Sequence, residues 1–209
     1  MGVGNMKYNK SAGTDREKME SVKYFSRSGE QNTEKVLDMS FAKALKKNIN
    51  NILIATTRGN TLIQAAEKRE NNEEYKDIKL FGMTLQAGVW EEYSPPDWDK
   101  IEKAGKMDVK VITCTHALMG NIASSIKNKF GGLPPSELIA YTYYTFSHGT
   151  KVAVEISLNA VDAGIIPENE RVIAIAGRNE GADTAILLKA VSTVNFFDLR
   201  INEFICKPK

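Results

Sequence analysis

Between Asn51 and Ala66 the chain changes from one hydrophobic period to another across a single short turn, and this restricts the fold more than any other segment. Ile52–Ala55 is a brief apolar run of the kind buried in a sheet, whereas Leu62, Ile63 and Ala66 fall at helical spacing. Thr56-Thr57-Arg58-Gly59-Asn60-Thr61 lies between them. Two readings of this turn fit the residues. In one, free backbone N–H groups, hydroxyls and the positive end of the helix dipole converge on an anion, most often a phosphate. In the other, the threonines only cap the helix and Gly59 only makes the turn.

The same alternation recurs along the chain. Val22–Phe25 reads as a short strand. Asn32 or Thr33 then caps a helix with the stripe Leu37, Phe41, Ala44 and Leu45. After the charged stretch Glu67–Lys76 come a strand at Ile78–Met83, a long loop at Gln86–Trp98 and a strand at Val109–Thr115. Phe130-Gly-Gly-Leu-Pro-Pro135 launches two helices, Ser136–Phe146 and Lys151–Ala163, broken at His148-Gly149. Val152, Ile156 and Ala160 give the second its buried stripe, and Gly164 ends it. Arg171–Ala176, Thr184–Val191 and Leu199–Cys206 complete the strands, the last alternating as a sheet-edge strand does. This order implies a three-layer α/β/α sandwich with a mostly parallel central sheet and an antiparallel C-terminal edge strand. Residues 1–20 read as a polar N-terminal extension and 21–209 as one domain. Ligands in such sheets bind beyond the carboxyl ends of strands, which selects the segments after Ala55, Met83, Thr115 and Ala176.

Composition removes several function classes. A net charge of +2 gives no electrostatic reason to expect nucleic acid. No apolar run approaches membrane-spanning length, and no signal-peptide core opens the chain, so neither membrane insertion nor secretion is expected. Cys114 and Cys206 have no metal-ligand spacing and read as reduced, buried thiols of a cytoplasmic protein. No nucleophile elbow, zinc-protease helix or clustered acidic motif occurs, so no metal site is expected.

Individual residues carry paired readings. His116 follows a strand beside Thr115; it is either a pocket acid/base or ligand donor, or a histidine satisfied by backbone groups. Glu155, between Val154 and Ile156, is either on a solvated helix face or a buried polar group of a pocket. Cys114 fits a structural thiol better than a nucleophile paired with His116. His148 fits a helix terminus. Trp90, Tyr93 and Trp98 fit either a lid over a ligand ring or anchors for their loop. Phe130 and Gly131 either bring backbone close to a ligand or shape a turn.

The chain resembles the carboxy-terminal, effector-binding domain of pyruvate kinase, and more closely the stand-alone archaeal and bacterial proteins of that fold. The likeness runs from about Val22 to Lys209. It is carried by Thr115-His-Ala-Leu-Met-Gly120, Lys129-Phe-Gly-Gly132, Val154-Glu155, Asp162-Ala-Gly-Ile-Ile-Pro167, Gly181-Ala-Asp-Thr184 and Asn195-Phe-Phe-Asp-Leu199. In pyruvate kinase a Thr-x-Ser-Gly-x-Ser/Thr loop grips a sugar phosphate, helped by a later Gly-rich loop. Thr56, Gly59 and Thr61 match the first loop, with Arg58 where serine is usual; Thr57 and Asn60 lie within it. Gly177-Arg178-Asn-Glu-Gly181-Ala-Asp183-Thr184 corresponds to the second, and Glu180 and Asp183 depart from its pattern. Two carboxylates beside a dianion would repel it, so they fit ligand hydroxyls or backbone amides better. The resemblance implies no pyruvate kinase chemistry, which needs a barrel of roughly 200 residues or more. It implies bound flavin mononucleotide (FMN), whose phosphate and hydroxylated arm match the turn. The expectations that follow are binding of a phosphorylated small molecule, with a flavin-dependent oxidoreductase using His116 or Glu155 as the alternative. An exposed edge strand leaves a homo-oligomer open.

Overall fold

The computed structural model describes residues 20–209, so all but the last residue of the expected N-terminal extension, 1–20, lies outside them. The strands are β1 (Lys23–Phe25), β2 (Asn51–Ala55), β3 (Lys79–Met83), β4 (Lys110–Ile112), β5 (Arg171–Ala176), β6 (Thr184–Lys189) and β7 (Arg200–Pro208). They form one sheet in the order β1-β7-β6-β5-β2-β3-β4. Pairs β2/β3, β2/β5, β3/β4 and β1/β7 are parallel, and β6 runs antiparallel to both β5 and β7. The C-terminal strand β7 therefore pairs antiparallel with β6, with the three residues of β1 along its outer side.

Helices cover both faces. α1 (Thr33–Lys47), α2 (Asn60–Glu70) and α4 (Trp98–Lys106) lie on one, and α6 (Pro135–Tyr144) and α7 (His148–Asp162) on the other. Successive strand residues point to opposite sides, and the two cores divide accordingly. Ile52, Ile54, Ile173 and Ile175 pack under α1 and α2, whereas Leu53, Val172 and Ala174 pack under α7. Burial on both faces is why β2 and β5 read as unbroken apolar runs.

Several expectations change. Leu45 is exposed, because α1 turns its stripe of Val36, Leu37, Phe41 and Ala44 inward. The segment read as a loop from Gln86 contains a short helix, α3 (Trp90–Tyr93), and its last residue begins α4. α4 escaped notice because only Ile101 and Ala104 punctuate a charged sequence; Asp97 caps it by accepting from Lys100 N at 3.4 Å. α5 (Ile122–Phe130) was also hidden, since its apolar spacing faces no core. The break between the last two helices falls at Ser147, whose hydroxyl caps α7 by accepting from Thr150 N. Gly149 lies inside α7 because nothing larger fits: a Cβ there would sit 2.3 Å from Thr184 Oγ1 of β6.

Candidate functional site

The order of strands reverses beside β2. From β2 the chain moves outward through β3 and β4, then returns by α5, α6 and α7 to place β5 on the other side of β2. Loops leaving the carboxyl ends of β2 and β5 diverge there, and a crevice opens between them. The result is a cleft of about 960 Å³. Its walls include Thr56–Arg58 after β2, Thr84–Gln86 after β3, His116 after β4, and Gly177 and Gly181 after β5. All four segments selected by the strand-end rule thus meet in one place.

The β2–α2 turn is held by its own residues and by α4. Thr56 N donates to Met83 O at 2.9 Å, and Thr56 Oγ1 accepts from Gly59 N at 3.0 Å. Gly59 has φ +95°, and a Cβ would lie 3.0 Å from Lys100 Cβ, so both backbone shape and the approach of α4 require glycine. Lys100 Nζ donates to Asn60 Oδ1 at 2.7 Å and pairs with Asp97, whose carboxyl it holds below the usual carboxylate range. Ile63 N bonds back to Gly59 O at 3.0 Å. The N–H groups of Asn60, Thr61 and Leu62 precede that first helical bond, which leaves them available at the positive end of α2. Asn60 and Thr61 line the cleft. The capping reading holds for Thr56, whose hydroxyl accepts from the Gly59 amide, while Asn60 and Thr61 border the cleft.

The cleft floor comes from α7. Lys151, Glu155 and Asn159 repeat every fourth residue and form a buried polar stripe along one side of α7. Glu155 Oε1 accepts from Leu118 N at 2.9 Å and Met119 N at 3.0 Å, and its Oε2 pairs with Lys151. Asn159 Oδ1 accepts from Ala117 N at 3.1 Å. This stripe pins the β4–α5 loop to the helix. In the sequence Glu155 stands out as one carboxylate beside apolar residues, and its four-residue spacing from Lys151 and Asn159 is the signal that marks the stripe.

His116 caps the floor. Its Nδ1 lies 3.7 Å from Glu155 Oε2 and its Nε2 3.3 Å from Thr84 O. Tyr144 leans over the same site, its ring 5.9 Å from Lys151 Nζ, and burial together with the Glu155 carboxylate pushes its phenol up to about 12. Nearby, Glu137 is buried against Lys127 and Ser124, which hold its carboxyl below the usual range.

The structure separates other expected residues from the cleft wall. Asp183 is buried: its Oδ2 accepts from Gly29 N at 3.0 Å and its Oδ1 from Thr184 Oγ1 at 2.7 Å. Asp183 thus fastens the β5–β6 hairpin to the chain after β1, while the Thr184 hydroxyl links Asp183 to Ser147 Oγ at 3.1 Å, and neither residue lines the cleft. Glu180 lines the cleft and lies 3.9 Å from Arg58 Nη1, so the two loops touch through opposite charges. Thr115, Arg178, Phe130 and Gly131 are not in the lining; Phe130 and Gly131 end α5 at the exposed surface. Burial, then Asp162 and Glu155, raise the Cys114 thiol, which opposes a thiolate nucleophile. His148 opens α7 and packs on Tyr144, ring centroids 4.5 Å apart. Trp90 anchors its loop by donating to Leu85 O at 2.9 Å and packs edge-on against Trp98, while Tyr93 reaches the cleft. Among the described residues no helix is long and apolar enough to cross a membrane, and no three His, Cys, Asp or Glu side chains gather to hold a metal ion.

No protein-family model matches the chain. Two solved structures of pyruvate kinase from Cryptosporidium parvum are similar to it, each at 13% identity, with TM-scores of 0.36 and 0.35. They cover 76% of this chain, which spans 22% of the length of those enzymes.

Proposed function

We propose that the cleft binds a phosphorylated small molecule, FMN in particular, with the phosphate at the amino end of α2. The observation that carries this reading is the position of that helix end. Thr57, Asn60 and Thr61, at the start of α2, line a cleft whose volume suits a cofactor-sized ligand, and a helix amino end there favours an anion. The residues present fit each part of such a molecule. Charge elsewhere in the cleft is largely paired internally (Lys151 with Glu155, Lys127 with Glu137, Arg58 near Glu180), so the helix end is the best anion seat. Ser125 and Asn128 offer partners to a hydroxylated arm, and Met83, Leu85, Val89 and Met119 offer an apolar bed for a flat ring.

Bound flavin would supply electron-transfer chemistry. The chain's own contribution is binding and shielding. Glu155 already serves a cation and two backbone amides, which favours a structural role for it and a binding role for the cleft over the oxidoreductase alternative.

Titration of the purified protein with FMN and with riboflavin, followed by flavin fluorescence, tests this. FMN should bind, riboflavin far more weakly, and Thr61→Val should weaken FMN by roughly tenfold to a hundredfold, the loss of one hydrogen bond to a charged group. Equal affinity for the two flavins would move the phosphate away from α2. A protein that neither binds FMN nor gains thermal stability from it would end the proposal.

A further inference from the structure

We propose that the exposed face of α5 and α6 is the interface of a homodimer. α5 has no buried residue, yet Ile122, Ile126 and Phe130 repeat every fourth position along one side, with Ile122 79% and Phe130 75% exposed. Leu133 in the connection and Leu138 and Tyr141 on α6 are also exposed. A nine-residue helix is not stable alone in water; it needs packing for its apolar side. Among the described residues α5 is tied to α6 through its polar side, by Ser124 and Lys127 to Glu137 and by Lys127 over the Tyr141 ring.

The area and the charge identify the occupant. These six side chains together expose roughly 700 Å², above the usual largest patch of a monomer and near the ~800 Å² that each partner buries in a standard interface. Charge on the face is sparse: among the described residues it has one salt-bridged lysine and one lysine without a carboxylate partner. Lys127 is paired with Glu137, and Lys129 lies over the Phe130 ring at 5.4 Å. A second copy brings the same aromatic and aliphatic surface, and the Lys129 ammonium on its flexible stem can stay in solvent at the rim of a two-fold pairing. An anionic bilayer would call for a basic cluster, which the face lacks. The sheet margins offer less: β1 and β4 contribute three residues each.

Sedimentation velocity of the full chain between about 1 and 100 µM should give a concentration-dependent dimer, with hydrogen exchange at α5 slowing as concentration rises. Ile126→Lys and Phe130→Ser should each weaken dimerisation by roughly thirtyfold, as expected of central interface side chains. Both positions are exposed in the single chain, so circular dichroism and melting at low concentration should not change. A monomer throughout the range, or a dimer unaffected by both substitutions, would overturn the proposal. So would co-sedimentation of the chain with vesicles of anionic phospholipid, since a bilayer would then cover this face.

Discussion

Replacing Glu155 with glutamine should destabilise the protein far more than a change of one atom implies. The Glu155 and Lys151 side chains are 3% and 5% exposed. Glutamine keeps an oxygen for the N–H groups of Leu118 and Met119, at 2.9 and 3.0 Å in the native protein. Its amide nitrogen, however, is a donor turned toward the Lys151 ammonium, which is left buried without a counter-charge. Removing one member of such a pair costs about 3–5 kcal/mol. For a chain of this length that lowers Tm by roughly 6–20 °C. The second change, Lys151→Met, should return most of the loss in the double variant, because a buried pair exchanged for uncharged groups of similar volume is often close to neutral. Urea unfolding of the native chain, both single variants and the double variant gives the coupling energy directly. We expect a coupling above about 2 kcal/mol with unchanged m-values. Additivity within about 0.5 kcal/mol, or a Glu155→Gln cost below about 1 kcal/mol, would show that the pair does not hold the cleft floor.

Two further outcomes follow from neighbouring geometry. Gly149→Ala should destabilise by about 1–3 kcal/mol by overpacking, because its Cβ would meet Thr184 of β6, and a melt no different from native would refute that close approach. The Glu137 carboxyl titrates lower in the folded chain than in the unfolded one, owing chiefly to Lys127 and then Ser124, so the unfolded state binds its proton first as pH falls. Its contribution is thus complete above the ordinary glutamate range and lost as pH drops through the lowered value; Glu137→Gln should flatten the acid limb of a stability–pH curve, and an unchanged limb would contradict the assignment.

How much was legible in the sequence differs between the framework and the site. β2, β5 and α7 were readable because their periods are enforced along their whole length by burial on both faces or on one continuous stripe. α4 and α5 were not. Their apolar residues are few or face outward, and α4 owes its place to packing on α2 and the turn before it rather than to its own pattern. At the site, Thr56, Gly59 and Thr61 stood out because a strand-to-helix turn demands such residue types within a few positions. The separate duties of these residues were invisible, since Thr56 spends its hydroxyl on Gly59 while Thr61 faces the cleft. Asp183 and Thr184 read as part of a ligand loop, and only the contacts with distant Gly29 and Ser147 show that Asp183 anchors the hairpin and Thr184 ties it to α7.

The sequence by itself determined the layered α/β class, most of the strand segments and the turn that begins α2, because each depends on periodicity or on conformations open to few residue types. Tertiary structure alone decided which polar residues share the cleft, which of them are consumed in holding it, and which apolar face is left uncovered. Those outcomes depend on contacts between segments far apart in the chain, such as Leu118 with Glu155 and Gly29 with Asp183, and local spacing carries no record of such pairings.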